Sequence, residues 1–112
     1  MTARRAVWAL AVLVVLLGSG HLAVTASYGK WGLDVLWFAL SGVAMVLAGL
    51  LNMVVLRTPP GDAPARWIGA GANLVMTGFF VAAWTVLQAP QVIAGAVFFA
   101  ALTALSFRPV PS

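Results

Sequence analysis

Four long apolar stretches divide the sequence, each close to the length that crosses a bilayer as a helix. About 20 consecutive apolar residues span the hydrocarbon core. Barrel strands alternate apolar and polar residues, and these stretches do not, so helices are the expected spans. The pattern predicts an all-α fold, an integral membrane antiparallel four-transmembrane-helix bundle. We expect a single membrane domain over residues 1–112, with spans at about 6–27, 33–56, 67–87 and 89–107.

The connections between these stretches are short. Residues 28–32 (YGKWG) form a turn with two glycines, and residues 88–91 (QAPQ) form a shorter one in which Pro90 suits the first turn of a helix. Residues 57–66 (RTPPGDAPAR) make the only extended loop, which must be hydrated. Short connections make sequential helices antiparallel neighbours. We therefore expect the first helix to pack on the second and the third on the fourth.

The composition supports a membrane location. The 112 residues are 63% hydrophobic and 7% charged, whereas soluble domains carry roughly 25% charged residues. A chain this short cannot hide so much apolar surface in a water-soluble core, so we expect membrane lipids to cover part of it. The six basic residues form no cluster of the kind that nucleic acid requires, so no nucleic-acid partner is expected.

The basic residues predict the orientation. Four spans would place both termini and the central loop on one side, together with Arg4, Arg5, Arg57, Arg66 and Arg108, and leave only Lys30 on the other. Loops rich in Lys and Arg stay in the cytoplasm. We therefore expect a multi-pass protein of the bacterial plasma (inner) membrane with both termini and loop 57–66 cytoplasmic. The bias toward Ala, Val, Gly and Arg suggests a GC-rich bacterium.

The first 27 residues also have the features of a secretory signal peptide. Two arginines precede an apolar core, and Val24-Thr25-Ala26 fits a cleavage motif. Cleavage there would leave three spans. We expect the segment to be retained as the first transmembrane helix.

Polar residues gather in the half of the predicted bundle that faces away from the cytoplasm. Side chains three, four and seven residues apart share a helix face, and intramembrane polar residues normally point inward. With a rise of 1.5 Å per residue, His21 lies about 10 Å below the outer surface. A hypothetical ligand-binding cluster there comprises His21, Thr25, Tyr28, Asp34, Trp37, Ser41, Trp84 and Gln88. Alternatively, His21 is a buried histidine that bonds Ser41 or a carbonyl group.

Asn52 and Asn73 form a second predicted group in the cytoplasmic half. They lie at comparable depth on antiparallel neighbouring helices. Polar side chains commonly link membrane helices through hydrogen bonds. We therefore predict a structural polar pair, joined directly or through water.

Few enzymatic or metal-binding roles suit this set of side chains. The sequence holds one histidine, two acidic residues and no cysteine, whereas a metal site needs three or four ligands. We expect no metal and no cofactor. His21, Ser41 and Asp34 are the residue types of a catalytic triad, but their spacing matches no known nucleophile motif. We assign no catalytic residue.

Several spaced glycines and aromatic residues resemble a known family. They are Gly20-His21-Leu22, Trp37-Phe38, Gly42, Gly49, Arg57, Trp67-Ile68-Gly69 and Pro90. In these the chain resembles a family of uncharacterised small four-helix bacterial membrane proteins, a domain of unknown function. The resemblance covers nearly the whole chain and implies no activity. The family's final-loop pattern is replaced here by QAPQ.

Three functional hypotheses remain open. The first is an accessory or interaction protein that binds partner transmembrane helices, or forms a homo-oligomer, through faces of small residues. The second is a binder or carrier of a small apolar or amphipathic ligand in an outer-half pocket around His21. The third is a membrane enzyme that acts on lipids or quinones. An open cavity at His21 would favour the second and third hypotheses, and a filled core would favour the first.

Overall fold

The structure is a computed structural model, and it describes residues 2–59 and 61–107. Four helices make up the described chain, α1 (Ala3–Thr25), α2 (Leu33–Arg57), α3 (Ala63–Trp84) and α4 (Pro90–Ser106). The described residues include no strand. The all-α, four-helix architecture predicted from the apolar stretches is thus confirmed. Arg108, used above to predict orientation, lies outside the described residues.

Helix ends differ from the predicted boundaries where a cap is present. The Asp62 carboxylate accepts a hydrogen bond from the Ala65 N–H at 3.0 Å, and Pro64 lies in the first turn. This N-cap starts α3 four residues before the span predicted at Trp67. Similarly, the Thr2 hydroxyl accepts from the Arg5 N–H at 3.2 Å, so α1 begins at Ala3. N-capping side chains satisfy N–H groups that lack partners within the helix.

Three of the helices are long and apolar enough to cross a membrane. They contain 23, 25 and 22 residues, whereas α4 contains 17. At 1.5 Å per residue α4 is about 26 Å long, slightly less than the roughly 30 Å hydrocarbon core. The chain therefore has the helices of a membrane protein, and the fourth helix is the shortest of them.

The helices form two hairpins that pack side by side. Helix α1 packs closely along α2, and α3 packs closely along α4, as the short connections predict. The two hairpins meet through the pairs α1–α4 and α2–α3, which have fewer contacts. The bundle is thus a ring of four helices in which each touches its two neighbours.

Small residues bring α1 and α2 into contact at the backbone. A Cβ atom built on Gly18 would lie 2.6 Å from the Gly42 carbonyl oxygen, and one built on Gly49 would lie 2.8 Å from the Ala11 carbonyl oxygen. Ala11 and Gly18 are seven residues apart, as are Gly42 and Gly49. A seven-residue spacing keeps one face of each helix against its neighbour. We call these four residues the α1–α2 seam.

The second hairpin is held by aromatic packing. The ring of Phe80 lies against Gly95 of α4 and stacks on Phe99, with ring centroids 5.8 Å apart. Phe99, Leu102, Val14 and Met45 are fully buried and belong to one apolar cluster. This cluster draws side chains from all the helices, so the two hairpins share one core.

Candidate functional site

His21 lies in the last turns of α1 and is buried against α2. Its Nδ1–H donates to the Leu17 carbonyl oxygen at 2.9 Å, and its ring stacks on Phe38 with centroids 4.4 Å apart. Only 8% of the residue is exposed. The hydrogen bond goes to a carbonyl group of its own helix, which is one of the two arrangements expected for a buried histidine.

The nearby hydroxyl groups also bond within their own helices. Thr25 donates to the His21 carbonyl oxygen at 2.8 Å, and Ser41 donates to the Phe38 carbonyl oxygen at 2.7 Å. Thr25 is buried and Ser41 half-buried. Ser and Thr in membrane helices commonly bond backward to a carbonyl group one turn earlier. Neither hydroxyl therefore bonds the His21 imidazole.

Other members of the predicted cluster lie at the surface. Tyr28 is 48% exposed and touches Phe38 edge-on, whereas Trp37 is 61% exposed. Asp34 is exposed, and its carboxylate accepts from the Val35 N–H at 2.9 Å. Of these three residues, only Tyr28 has a ring contact with the His21–Phe38 stack in the described chain.

Trp84 and Gln88 belong to the other hairpin. Both are exposed, and Gln88 donates its side-chain amide to the Trp84 carbonyl oxygen. Among the described residues, no ring contact or hydrogen bond links them to His21. The predicted cluster is therefore divided into one group on the α1–α2 hairpin and another at the α3–α4 turn.

The aromatic partner of His21 was absent from the predicted cluster. Phe38 begins the second turn of α2, and the family resemblance included it only as half of an aromatic pair. Depth could have identified it, because His21 lies four residues before the end of α1 and Phe38 five after the start of α2. The polar-residue pattern overlooked it because Phe38 is apolar.

Asn52 and Asn73 form the most extensive polar group in the described core. Each side-chain amide donates to the oxygen of the other at 2.8 Å, and Asn52 also donates to the Ala48 carbonyl oxygen at 2.8 Å. Exposure is 4% for Asn52 and 0% for Asn73. The structure thus joins the two predicted partners by direct hydrogen bonds.

The polar network continues from α3 to α4. Asn73 donates to the Ser106 hydroxyl at 3.0 Å, and Arg66 donates from Nε to the Ser106 carbonyl oxygen at 3.2 Å and from Nη2 to the Phe107 carbonyl oxygen at 2.9 Å. The last carbonyl groups of a helix lack partners within it, and a cation is favourable at that end. Arg66, predicted only as a loop charge, thus caps α4.

Two hydroxyl groups add a further link between α3 and α4. The Thr77 hydroxyl donates to the Asn73 carbonyl oxygen and lies 3.2 Å from the Thr103 hydroxyl, whose single hydrogen can go either to Thr77 or to the Phe99 carbonyl oxygen. Neither threonine was among the predicted site residues. In the described residues, every buried side-chain nitrogen or oxygen has a hydrogen-bond partner.

Two grooves open on the described surface. One, of about 490 Å³, lies at the start of α1 and the end of α2 and is lined by Thr2, Arg4, Arg5, Trp8, Leu56 and Arg57. The other, of about 360 Å³, lies between α2 and α3 and is lined by Ala44, Leu47, Ala48, Leu51, Gly71, Ala72, Val75 and Met76. We call them the arginine groove and the α2–α3 groove. Neither includes His21.

The described residues offer no cluster of three His, Asp or Glu side chains that could hold a metal ion. Comparison with known proteins adds no assignment, because no family model, curated protein or solved structure matches the chain. The resemblance drawn from glycine and aromatic spacing therefore stays an expectation. Functional inference rests on the packing and the two grooves.

Proposed function

We propose that this chain is a small multi-pass membrane protein that acts by helix association, an interaction protein rather than an enzyme. The observation that carries the proposal is a glycine face on α3 beside the α2–α3 groove. Gly71 lines that groove, and both Gly71 and Gly78 are exposed. A Cβ atom built on either glycine would meet no atom within 4 Å.

These two glycines have no packing role within the described chain. Glycine in a helix interior is less favourable than alanine by about 1 kcal/mol. Five other helical glycines are explained by close neighbours, namely Gly18, Gly42, Gly49, Gly69 and Gly95. Small residues at membrane helix interfaces let backbones approach closely. A helix from outside the bundle could pack closely against α3 at Gly71 and Gly78 in the same way.

The spacing on α3 supports this interpretation. Gly71 and Gly78 are seven residues apart, the spacing found on both sides of the α1–α2 seam. Val75 lies between them on the same face and is 70% exposed. Without side chains at Gly71 and Gly78, a second helix could approach α3 as closely as α1 approaches α2.

The occupant we propose is a second copy of this chain. A twofold axis along the membrane normal would place the two α3 faces against each other. Both copies would then have the same orientation, in agreement with the single orientation proposed from the basic residues. Each copy would bring the same glycines and Val75, so the surface is suited to itself.

We also propose that all four helices span the bacterial plasma membrane, with both termini in the cytoplasm. Helix α4 is apolar and about 26 Å long. A modest shortfall against the bilayer is accommodated by local thinning. Arg4, Arg5, Arg57 and Arg66 would then share the cytoplasmic side, and Lys30 would lie outside.

Self-association can be tested with matched glycine variants in liposomes. We expect Gly71→Ile and Gly78→Ile to weaken dimerisation about tenfold each, a change of about 1.4 kcal/mol, measured by energy transfer between labelled copies. Gly20→Ile is the control, because Gly20 is also an exposed helical glycine with open space around its Cβ position. Wild-type protein that stays monomeric would overturn self-association, as would equal weakening by the Gly20 variant.

The ligand-binding alternative around His21 has less support. Both grooves lie elsewhere, and the imidazole ring is stacked on Phe38 within a packed hairpin. The enzyme alternative relies on the same residue and has no further observation in its favour.

A further inference from the structure

The arginine groove concentrates positive charge at one end of the α1–α2 hairpin. Three of the six basic residues of the chain, Arg4, Arg5 and Arg57, line it. All three side chains are exposed. With a volume of about 490 Å³, the groove is larger than the α2–α3 groove.

These three guanidinium groups have no anionic partner within the described chain. The two acidic side chains of the chain do not line the groove. Asp34 accepts a hydrogen bond from the Val35 N–H, and Asp62 accepts one from the Ala65 N–H. Among residues 2–59 and 61–107, no hydrogen bond or ion pair engages the side chains of Arg4, Arg5 or Arg57. The groove therefore presents three free planar donors, a group suited to phosphate oxygens.

The rest of the groove is partly apolar. Trp8, which is 44% exposed, and Leu56 line it beside the arginines. Tryptophan is enriched where membrane helices meet the headgroup region. Thr2 also lines the groove, and its hydroxyl oxygen accepts from the Arg5 N–H, so its own hydrogen is available to donate. A phosphate with an attached apolar chain would use both parts of this surface.

We propose that the arginine groove binds the headgroup of an anionic phospholipid. The guanidinium groups of Arg4, Arg5 and Arg57 would hold the phosphate oxygens, with Trp8 and Leu56 against the glycerol and the upper acyl chain. A zwitterionic lipid would also bring an ammonium group, which three arginines repel. Free phosphate would contact the arginines and leave the apolar wall unused. The proposal is independent of self-association, because the α2–α3 groove shares none of these residues.

The test measures lipid binding to the purified full chain in phosphatidylcholine nanodiscs or a neutral detergent. We expect phosphatidylglycerol to bind at least about tenfold more tightly than added phosphatidylcholine, with about a fivefold loss for each of Arg4→Gln, Arg5→Gln and Arg57→Gln. Lys30→Gln is the control, because it removes the same charge at the other end of the hairpin. It should change the affinity by less than about twofold.

Three results would overturn the proposal. The first is equal affinity for phosphatidylglycerol and phosphatidylcholine. The second is an equal loss in the Lys30 variant, which would indicate attraction to net charge alone. The third is stabilisation by millimolar inorganic phosphate that fully matches phosphatidylglycerol, which would make the groove a free-phosphate site. Helix content by circular dichroism checks the fold of each variant, and Arg57→Lys, which keeps the charge, provides a milder substitution at the same position.

Discussion

At the scale of single residues, hydroxyl groups and amides behave differently in this bundle. Thr25, Ser41 and Thr77 each donate to a carbonyl group of their own helix, because a hydroxyl has one donor and a short reach. A side-chain amide has two donors and an acceptor. Asn52 therefore has a donor and an acceptor left after its bond to the Ala48 carbonyl oxygen, and Asn73 makes all its side-chain bonds to other helices.

The amide pair gives a prediction about stability. Asn52→Leu or Asn73→Leu should lower the free energy of unfolding by about 0.5–2 kcal/mol, because each leaves a buried amide without its partner. The first substitution removes two interhelical hydrogen bonds and the second removes three. Tryptophan fluorescence during unfolding in mixed micelles can measure this loss. A double-mutant cycle should show coupling between the two positions. No coupling would contradict a stabilising role for the pair.

The depth of a side chain in the membrane could be predicted from the sequence. Counting residues from the loop that α2 and α3 share places Asn52 and Asn73 at comparable depth, and this count does not depend on how each helix is rotated about its axis. It did not show that Trp84 and Gln88 make no hydrogen bond or ring contact with His21 in the described chain, because equal depth does not bring two side chains together. The hydrogen bonds from Arg66 to the end of α4 depend on how the start of α3 packs against the end of α4. The spacing of residues along the sequence does not specify this packing.

At the scale of elements, the closest helix approach depends on small side chains. In the α1–α2 seam, backbone oxygens occupy the space that larger residues would need at Gly18 and Gly42. This packing explains why the glycines of α2 recur at seven residues. It also makes α1 an integral part of the described fold.

The seam predicts a position-specific effect of adding bulk to α1. Gly18→Val should lower the free energy of unfolding by about 1–3 kcal/mol, because the new Cβ would require the Gly42 carbonyl group to shift. Gly20→Val, two residues away, should change it by no more than about 0.5 kcal/mol, since open space surrounds that position. The same fluorescence measurement compares them. Similar losses for both variants would contradict backbone contact at Gly18.

At the scale of the whole molecule, the number of helices and their pairing followed from the sequence, but their ends did not. Apolar runs show where a helix is buried in lipid, whereas caps such as Asp62 extend the helix into the hydrated loop. The turn residues between helices fixed the two hairpins, because short connections leave no other neighbour. How one hairpin packs against the other depends on side-chain fit among Val14, Met45, Phe99 and Leu102, which no local pattern encodes.

Orientation in the membrane is the prediction that belongs to the whole molecule. The chain has no cysteine, so single-cysteine variants can be labelled without background. Lys30→Cys should react with an impermeant maleimide on intact cells and Gly61→Cys only after permeabilisation. The reason is that all the basic residues except Lys30 are expected on the same side of the membrane as Gly61. A fluorescent protein fused after Ser112 should fold in the cytoplasm if α4 spans. The reverse labelling pattern would contradict the orientation, and a fusion that is exported would show that α4 does not cross the bilayer.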